Sequence, residues 1–138
     1  MKAIRIHEFG DADVLQYEDV PDPVAGPGEV VIKVEAIGVN PVETYIRAGI
    51  HAIRPDLPFT PGSDAAGTVL SIGDGVSTHK PGDRVYAAGS VGENAWVDGY
   101  GERLLRRADH FLPLPDNVGF AQGAAIGIPY GTAHWALI

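Results

Sequence analysis

Turn-forming residues come so often along this chain that only short elements fit between them. Gly10-Asp11-Ala12-Asp13, Pro21-Asp22-Pro23, Pro27-Gly28, Gly73-Asp74-Gly75 and Lys80-Pro81-Gly82-Asp83 each supply the glycine, proline or aspartate of a tight turn. With 18 glycines and 11 prolines in 138 residues, many short strands are favoured over long helices. Residues 3–7 and 15–20 alternate apolar and polar, the pattern of a half-buried strand. Glu29–Ile37 is the longest apolar run, and residues 66–72, 84–87, 100–105 and 111–114 read as further strands. Residues 54–61 are too rich in proline for helix and read as a connector. The pattern predicts one mainly β domain with short helices, folded as a closed or nearly closed β-barrel.

The long strand runs into Gly38-Val39-Asn40-Pro41-Val42-Glu43-Thr44-Tyr45-Ile46-Arg47, which carries the start signals of a helix. Asn40 suits the N-cap, because its side-chain oxygen can accept from a free first-turn amide. Pro41 falls at the first helical position, where its missing N–H costs nothing. Glu43, three residues after the cap, can reach back as in a capping box, and Gly49 stops the helix. Two readings stand side by side: Asn40 and Glu43 only cap the helix, or the strand end delivers Asn40 and Tyr45 into a cleft. Residues 118–138 carry no formal charge. The length invites a membrane reading, but Gly119, Gly123, Gly127, Pro129 and Gly131 break it into two helical pieces parted at Gly127–Pro129.

Composition excludes several classes. Net charge is −8, and no basic cluster exceeds residues 103–107, so affinity for nucleic acid is not expected. With no cysteine, neither a disulfide nor a thiolate metal site can form. The first residues hold no apolar run of signal-peptide length, and a cytoplasmic location is the expectation.

The motifs in order are Gly38 to Tyr45, then Pro58-Phe59-Thr60-Pro61-Gly62-Ser63-Asp64-Ala65-Ala66-Gly67-Thr68-Val69, then Pro81-Gly82-Asp83-Arg84-Val85. Leu114-Pro115-Asp116-Asn117-Val118 and Ala124-Ala125-Ile126-Gly127-Ile128-Pro129-Tyr130-Gly131-Thr132-Ala133 follow. This series resembles the N-terminal, GroES-like catalytic domain of the medium-chain dehydrogenase/reductase superfamily. Within it, the chain is most similar to the zeta-crystallin-like NADPH:quinone oxidoreductases, over essentially its whole length. The resemblance implies a GroES-like β-barrel over residues 1–125. Residues 126–138 would begin the connection to a nucleotide-binding Rossmann domain that this sequence does not contain.

The resemblance also carries expectations for the site. Zinc members place cysteine, histidine and glutamate ligands where Asn40, Ser63 and Asp64 stand here. Asn40 and Ser63 are poor zinc ligands, so no metal is expected. In the quinone reductases, the residues matching Asn40 and Tyr45 line the cleft beside the nicotinamide of NADPH, and the residue matching Thr132 contacts its carboxamide side. Asn40, Tyr45 and Asp64 are therefore the candidate catalytic residues, and Asn40, Tyr45 and Thr132 the candidate cofactor contacts. The plainer alternatives are a core aromatic with a surface hydroxyl for Tyr45, and a carboxylate satisfying amides of the turn after Pro61-Gly62 for Asp64. Gly73-Asp74-Gly75 and Gly99-Tyr100-Gly101 both lack the third glycine of a dinucleotide turn.

The expected activity is hydride transfer from NADPH to a quinone or conjugated carbonyl, with this chain alone not competent. An enoyl or 2-alkenal reductase, a zinc-type alcohol dehydrogenase relative and a free-standing GroES-like binding module remain as alternatives. The expected partners are a small-molecule quinone or enone and a second copy of the chain, with no nucleic acid and no membrane.

Overall fold

The computed structural model describes residues 1–87 and 97–138. Among the described residues there are seven strands: β1 (Lys2–Ile6), β2 (Leu15–Asp19), β3 (Glu29–Ile37), β4 (Ala65–Ile72), β5 (Arg84–Ala87), β6 (Arg103–Arg107) and β7 (Phe111–Pro113). Three short helices join them: α1 (Pro41–Arg47), α2 (Phe120–Gly123) and α3 (Gly131–Leu137). Strands β1 and β2 form an antiparallel hairpin, and the other five form one antiparallel sheet in the order β6-β3-β4-β5-β7. Isolated pairs Ala3–Gly101, Ile6–Phe59 and Pro61–Val97 tie the hairpin and the intervening loops to this sheet. The result is the mainly β, curled sheet with short helices that the turn pattern predicts.

Alternation decides which side of each strand is buried. Val30, Ile32, Val69, Val85, Leu104 and Phe111 meet in the main core, with Ala65 and Ala87 filling the narrow places. A second cluster, Ile6, Ile46, Phe59 and Val97, packs α1 against the hairpin. Gly49 ends α1's last turn at φ 72°, a left-handed conformation that favours glycine.

Two expectations shift. The strand anticipated over residues 100–105 instead covers Arg103–Arg107. Tyr100 and Glu102 are taken up by the hairpin: Ile4 N–H donates to the Tyr100 carbonyl at 2.8 Å, and Glu102 N–H donates to the Lys2 carbonyl at 3.0 Å. The expected break at Gly127–Pro129 is a wide, π-helical turn over Ile126–Tyr130 that feeds directly into α3. Pro129 cannot donate, and Tyr130 N–H reaches back five residues to the Ala125 carbonyl at 3.3 Å. No helix among the described residues is long and apolar enough to cross a membrane.

Candidate functional site

The pairing of β3 with β4 places two of the candidate residues side by side. The register closes with Ile37 opposite Ala65, and Gly38 N–H donates to the Asp64 carbonyl at 3.0 Å. Asn40, two residues beyond Gly38, then faces Asp64. Its Nδ2 donates to Asp64 Oδ2 at 2.9 Å, with Asn40 only 5% and Asp64 only 3% exposed. The other Asp64 oxygen accepts the backbone N–H of Ile128, in the π-helical turn, at 3.0 Å. Asp64 thus does satisfy a backbone amide, but one 64 residues away rather than in the turn after Pro61-Gly62. One carboxylate joins the N-cap of α1 to the turn that precedes α3.

Asn40 is the N-cap of α1, in extended conformation (φ −117°, ψ 149°), with Pro41 beginning the helix. Glu43 reaches back as the capping box requires: its Oε2 accepts Asn40 N–H at 2.8 Å. Glu43 has further donors that no capping rule foresees. Its Oε1 accepts Ser63 N–H at 2.8 Å, and its Oε2 accepts the Tyr100 hydroxyl. Arg106, on β6, donates to the Ser63 carbonyl at 3.0 Å and the Val97 carbonyl at 2.9 Å. The sequence signalled Glu43 only as a cap, Tyr100 only as a strand residue and Arg106 only as part of the basic run 103–107.

Charge in this cluster is held in a dry place. Burial, the largest influence, pushes the Asp64 carboxyl above its ordinary value, against the opposing hydrogen bonds from Asn40 and Ile128. Burial likewise lowers the Arg106 guanidinium to about 10, partly offset by Asp98, Asp64 and Glu43. The Tyr100 phenol is raised by burial and then by Glu43, which keeps it a protonated donor. Ser63 Oγ and Arg106 Nε are buried without a hydrogen-bond partner among the described residues.

Tyr45 and Thr132 stand outside the buried pair. Tyr45 lies on α1 and is 50% exposed, so it is not a core aromatic; Thr132 is exposed in the first turn of α3. Tyr45 belongs to the helix whose N-cap Asp64 binds, and Thr132 to the helix that follows the turn whose Ile128 amide the same carboxylate accepts. The donor set does not suit zinc: Asn40 turns its amide nitrogen, which is no ligand, toward Asp64. Among the described residues no group of three or more histidine, cysteine, aspartate or glutamate side chains could hold a metal ion. Asn40, Tyr45, Asp64 and Thr132 include no cationic side chain.

Residues 26–125 match the family model described as the alcohol dehydrogenase GroES-like domain. The quinone oxidoreductase of Mus musculus is 51% identical over 138 residues, covering 99% of this chain and 40% of the mouse protein. That of Homo sapiens is 49% identical over 140 residues, covering 100% of this chain and 41% of its own length. Among solved structures, Escherichia coli quinone oxidoreductase complexed with NADPH matches with a TM-score of 0.89 at 33% identity, over 99% of this chain and 40% of that one. The chain spans about two fifths of the length of these relatives.

Proposed function

Because the chain belongs to the alcohol dehydrogenase GroES-like family, in the quinone oxidoreductase branch of the medium-chain dehydrogenase/reductase superfamily, we propose that it is the N-terminal catalytic domain of a zinc-independent, NADPH-dependent quinone reductase. Residues 1–125 form that domain in this reading, and residues 126–138 begin the connection to a nucleotide-binding domain. The observation that carries it is the Asp64 carboxylate. By accepting from Asn40 and from Ile128, it ties α1, which carries Tyr45, to the turn before α3, which carries Thr132; in this reading the two side chains border one cleft.

NADPH, when bound, supplies the hydride. Negative charge would grow on the oxygen of the quinone as its ring takes up that hydride, until a proton from water completes the hydroquinone. The Tyr45 hydroxyl, the half-exposed donor of the set, stabilises that charge without zinc. Thr132 would hold the carboxamide side of a bound nicotinamide and so help to orient it toward the substrate. Asn40 and Asp64, both buried and hydrogen-bonded to each other, would support these groups from within the fold. Phosphate binding falls to residues outside this chain, and a soluble, cytoplasmic enzyme suits the acidic composition.

The test is turnover of the full-length protein containing this chain, with NADPH and a panel of quinones and 2-alkenals. Quinones should be preferred, and Tyr45→Phe should slow their reduction by up to roughly 2–4 kcal/mol of barrier. Preference for 2-alkenals would make the protein an enone reductase. Full activity of Tyr45→Phe would remove Tyr45 from the chemistry.

A further inference from the structure

We propose that Glu43 and Tyr100 are positioning residues, which set the geometry of the Asn40–Asp64 pair from behind. The inference rests on the reading above, in which that pair fixes the cleft. A capping glutamate needs one hydrogen bond and can stay in water. Glu43 is instead only 4% exposed. Burying a carboxylate is costly unless donors surround it, and here they do. Glu43 Oε2 accepts Asn40 N–H at 2.8 Å and the Tyr100 hydroxyl. Its Oε1 accepts Ser63 N–H at 2.8 Å and lies 3.5 Å from Asn40 Nδ2. Glu43 therefore grips the main chain of Asn40 and the main chain of the residue just before Asp64. Arg106 holds the other end of Ser63, donating to its carbonyl at 3.0 Å.

Rotation of the Glu43 carboxylate would move both members of the pair together. Tyr100 is the side chain that opposes such rotation, because the other donors to Glu43 belong to Asn40 and Ser63 themselves. Tyr100→Phe removes this restraint and leaves every main-chain hydrogen bond of Glu43 in place. Glu43→Gln goes further, since its amide would set a donor against the N–H of Asn40 or Ser63.

Side-chain amide NMR of this chain provides the test. In the wild type the Asn40 Nδ2 protons should exchange slowly; exchange at the rate of a free carboxamide overturns the proposal without any variant. In Tyr100→Phe the Asn40 side-chain signals should shift and exchange roughly tenfold faster, the scale of one lost hydrogen bond. Protection of the β3 and β4 backbone amides should not change, whereas a merely structural loss would lower it everywhere. Unmoved Asn40 signals in both Tyr100→Phe and Glu43→Gln overturn the proposal. In the full-length protein, Tyr100→Phe should lower kcat and leave the KM for NADPH unchanged. If the Asn40 signals move and kcat does not, the positioning stands, and the role given to the Asn40–Asp64 pair in turnover falls instead.

Discussion

Asp64 is the residue on which the site's electrostatics turn. Burial raises its carboxyl above the ordinary 3.8, so the folded chain holds that proton more tightly than the unfolded chain does. Its contribution to stability is therefore fully present below 3.8 and is lost as pH rises through the raised value. Asp64→Asn removes this titration. The stability of wild type minus that of Asp64→Asn should be largest in acid and should decline as pH climbs above 3.8. Urea unfolding of both proteins across that range measures it, and a flat or rising difference would mean that the Asn40 and Ile128 hydrogen bonds outweigh burial. The same residues govern metal content. Asn40 and Ser63 offer zinc an amide and a hydroxyl, and both Asp64 oxygens already accept N–H groups. Elemental analysis of protein purified without a polyhistidine tag should find zinc well below stoichiometric, and a full equivalent would overturn the zinc-independent reading.

The π-helical turn Ile126–Tyr130 is bound directly to that carboxylate through the Ile128 amide. A Cβ added at Gly127 would lie 2.2 Å from Asp64 Oδ1 and 3.3 Å from the Ala87 carbonyl. Glycine to alanine within a helix ordinarily stabilises by up to about 1 kcal/mol. Here the added methyl must displace Asp64 or the turn, so Gly127→Ala should lose roughly 1–3 kcal/mol, as overpacked sites do. The Ile128 amide should also lose its exchange protection. A variant as stable as wild type would show that the turn can move away from Asp64 at little cost. How far such elements can be read from sequence depends on how local their causes are. β3, over Glu29–Ile37, and α1's start at Asn40-Pro41 are visible because the apolar run, the cap and the proline all lie within a few residues of one another. The displacement of β6 to Arg103–Arg107 is not visible, because the hairpin that captures Tyr100 and Glu102 is about a hundred residues distant. The site divides in the same way. Asn40, Tyr45, Asp64 and Thr132 are named by the family resemblance. The Asp64–Ile128 bond and the convergence of Tyr100 and Ser63 on Glu43 have no periodicity or spacing that would announce them.

At the scale of the whole molecule, two chemistries sit side by side. The chain carries a net charge of −8, yet α3 and the turn before it expose Tyr130 at 65%, Trp135 at 85%, Leu137 at 85% and Ile138 at 92%. An isolated seven-residue helix is marginal in water, so α3 needs a surface to pack against. Apolar area left open in this way is ordinarily covered by association. The 138-residue chain in isolation should therefore self-associate through α3, with a scattering mass that rises with concentration and returns toward the monomer in Trp135→Glu. The acidic charge bears on the cofactor. Tight dinucleotide binding draws on a glycine-rich turn at a helix N-terminus, and this sequence has no Gly-x-Gly-x-x-Gly to form one. In the proposed reading, what the chain would offer NADPH is Tyr45 and Thr132, both uncharged, beside the acidic Asp64, and none of the three is a cation for the phosphates. Calorimetric titration should find NADPH affinity no tighter than the millimolar range. Micromolar binding by a monomeric form of this chain would contradict both halves of the prediction, because it would require a phosphate site within these residues and an α3 content to stay in water.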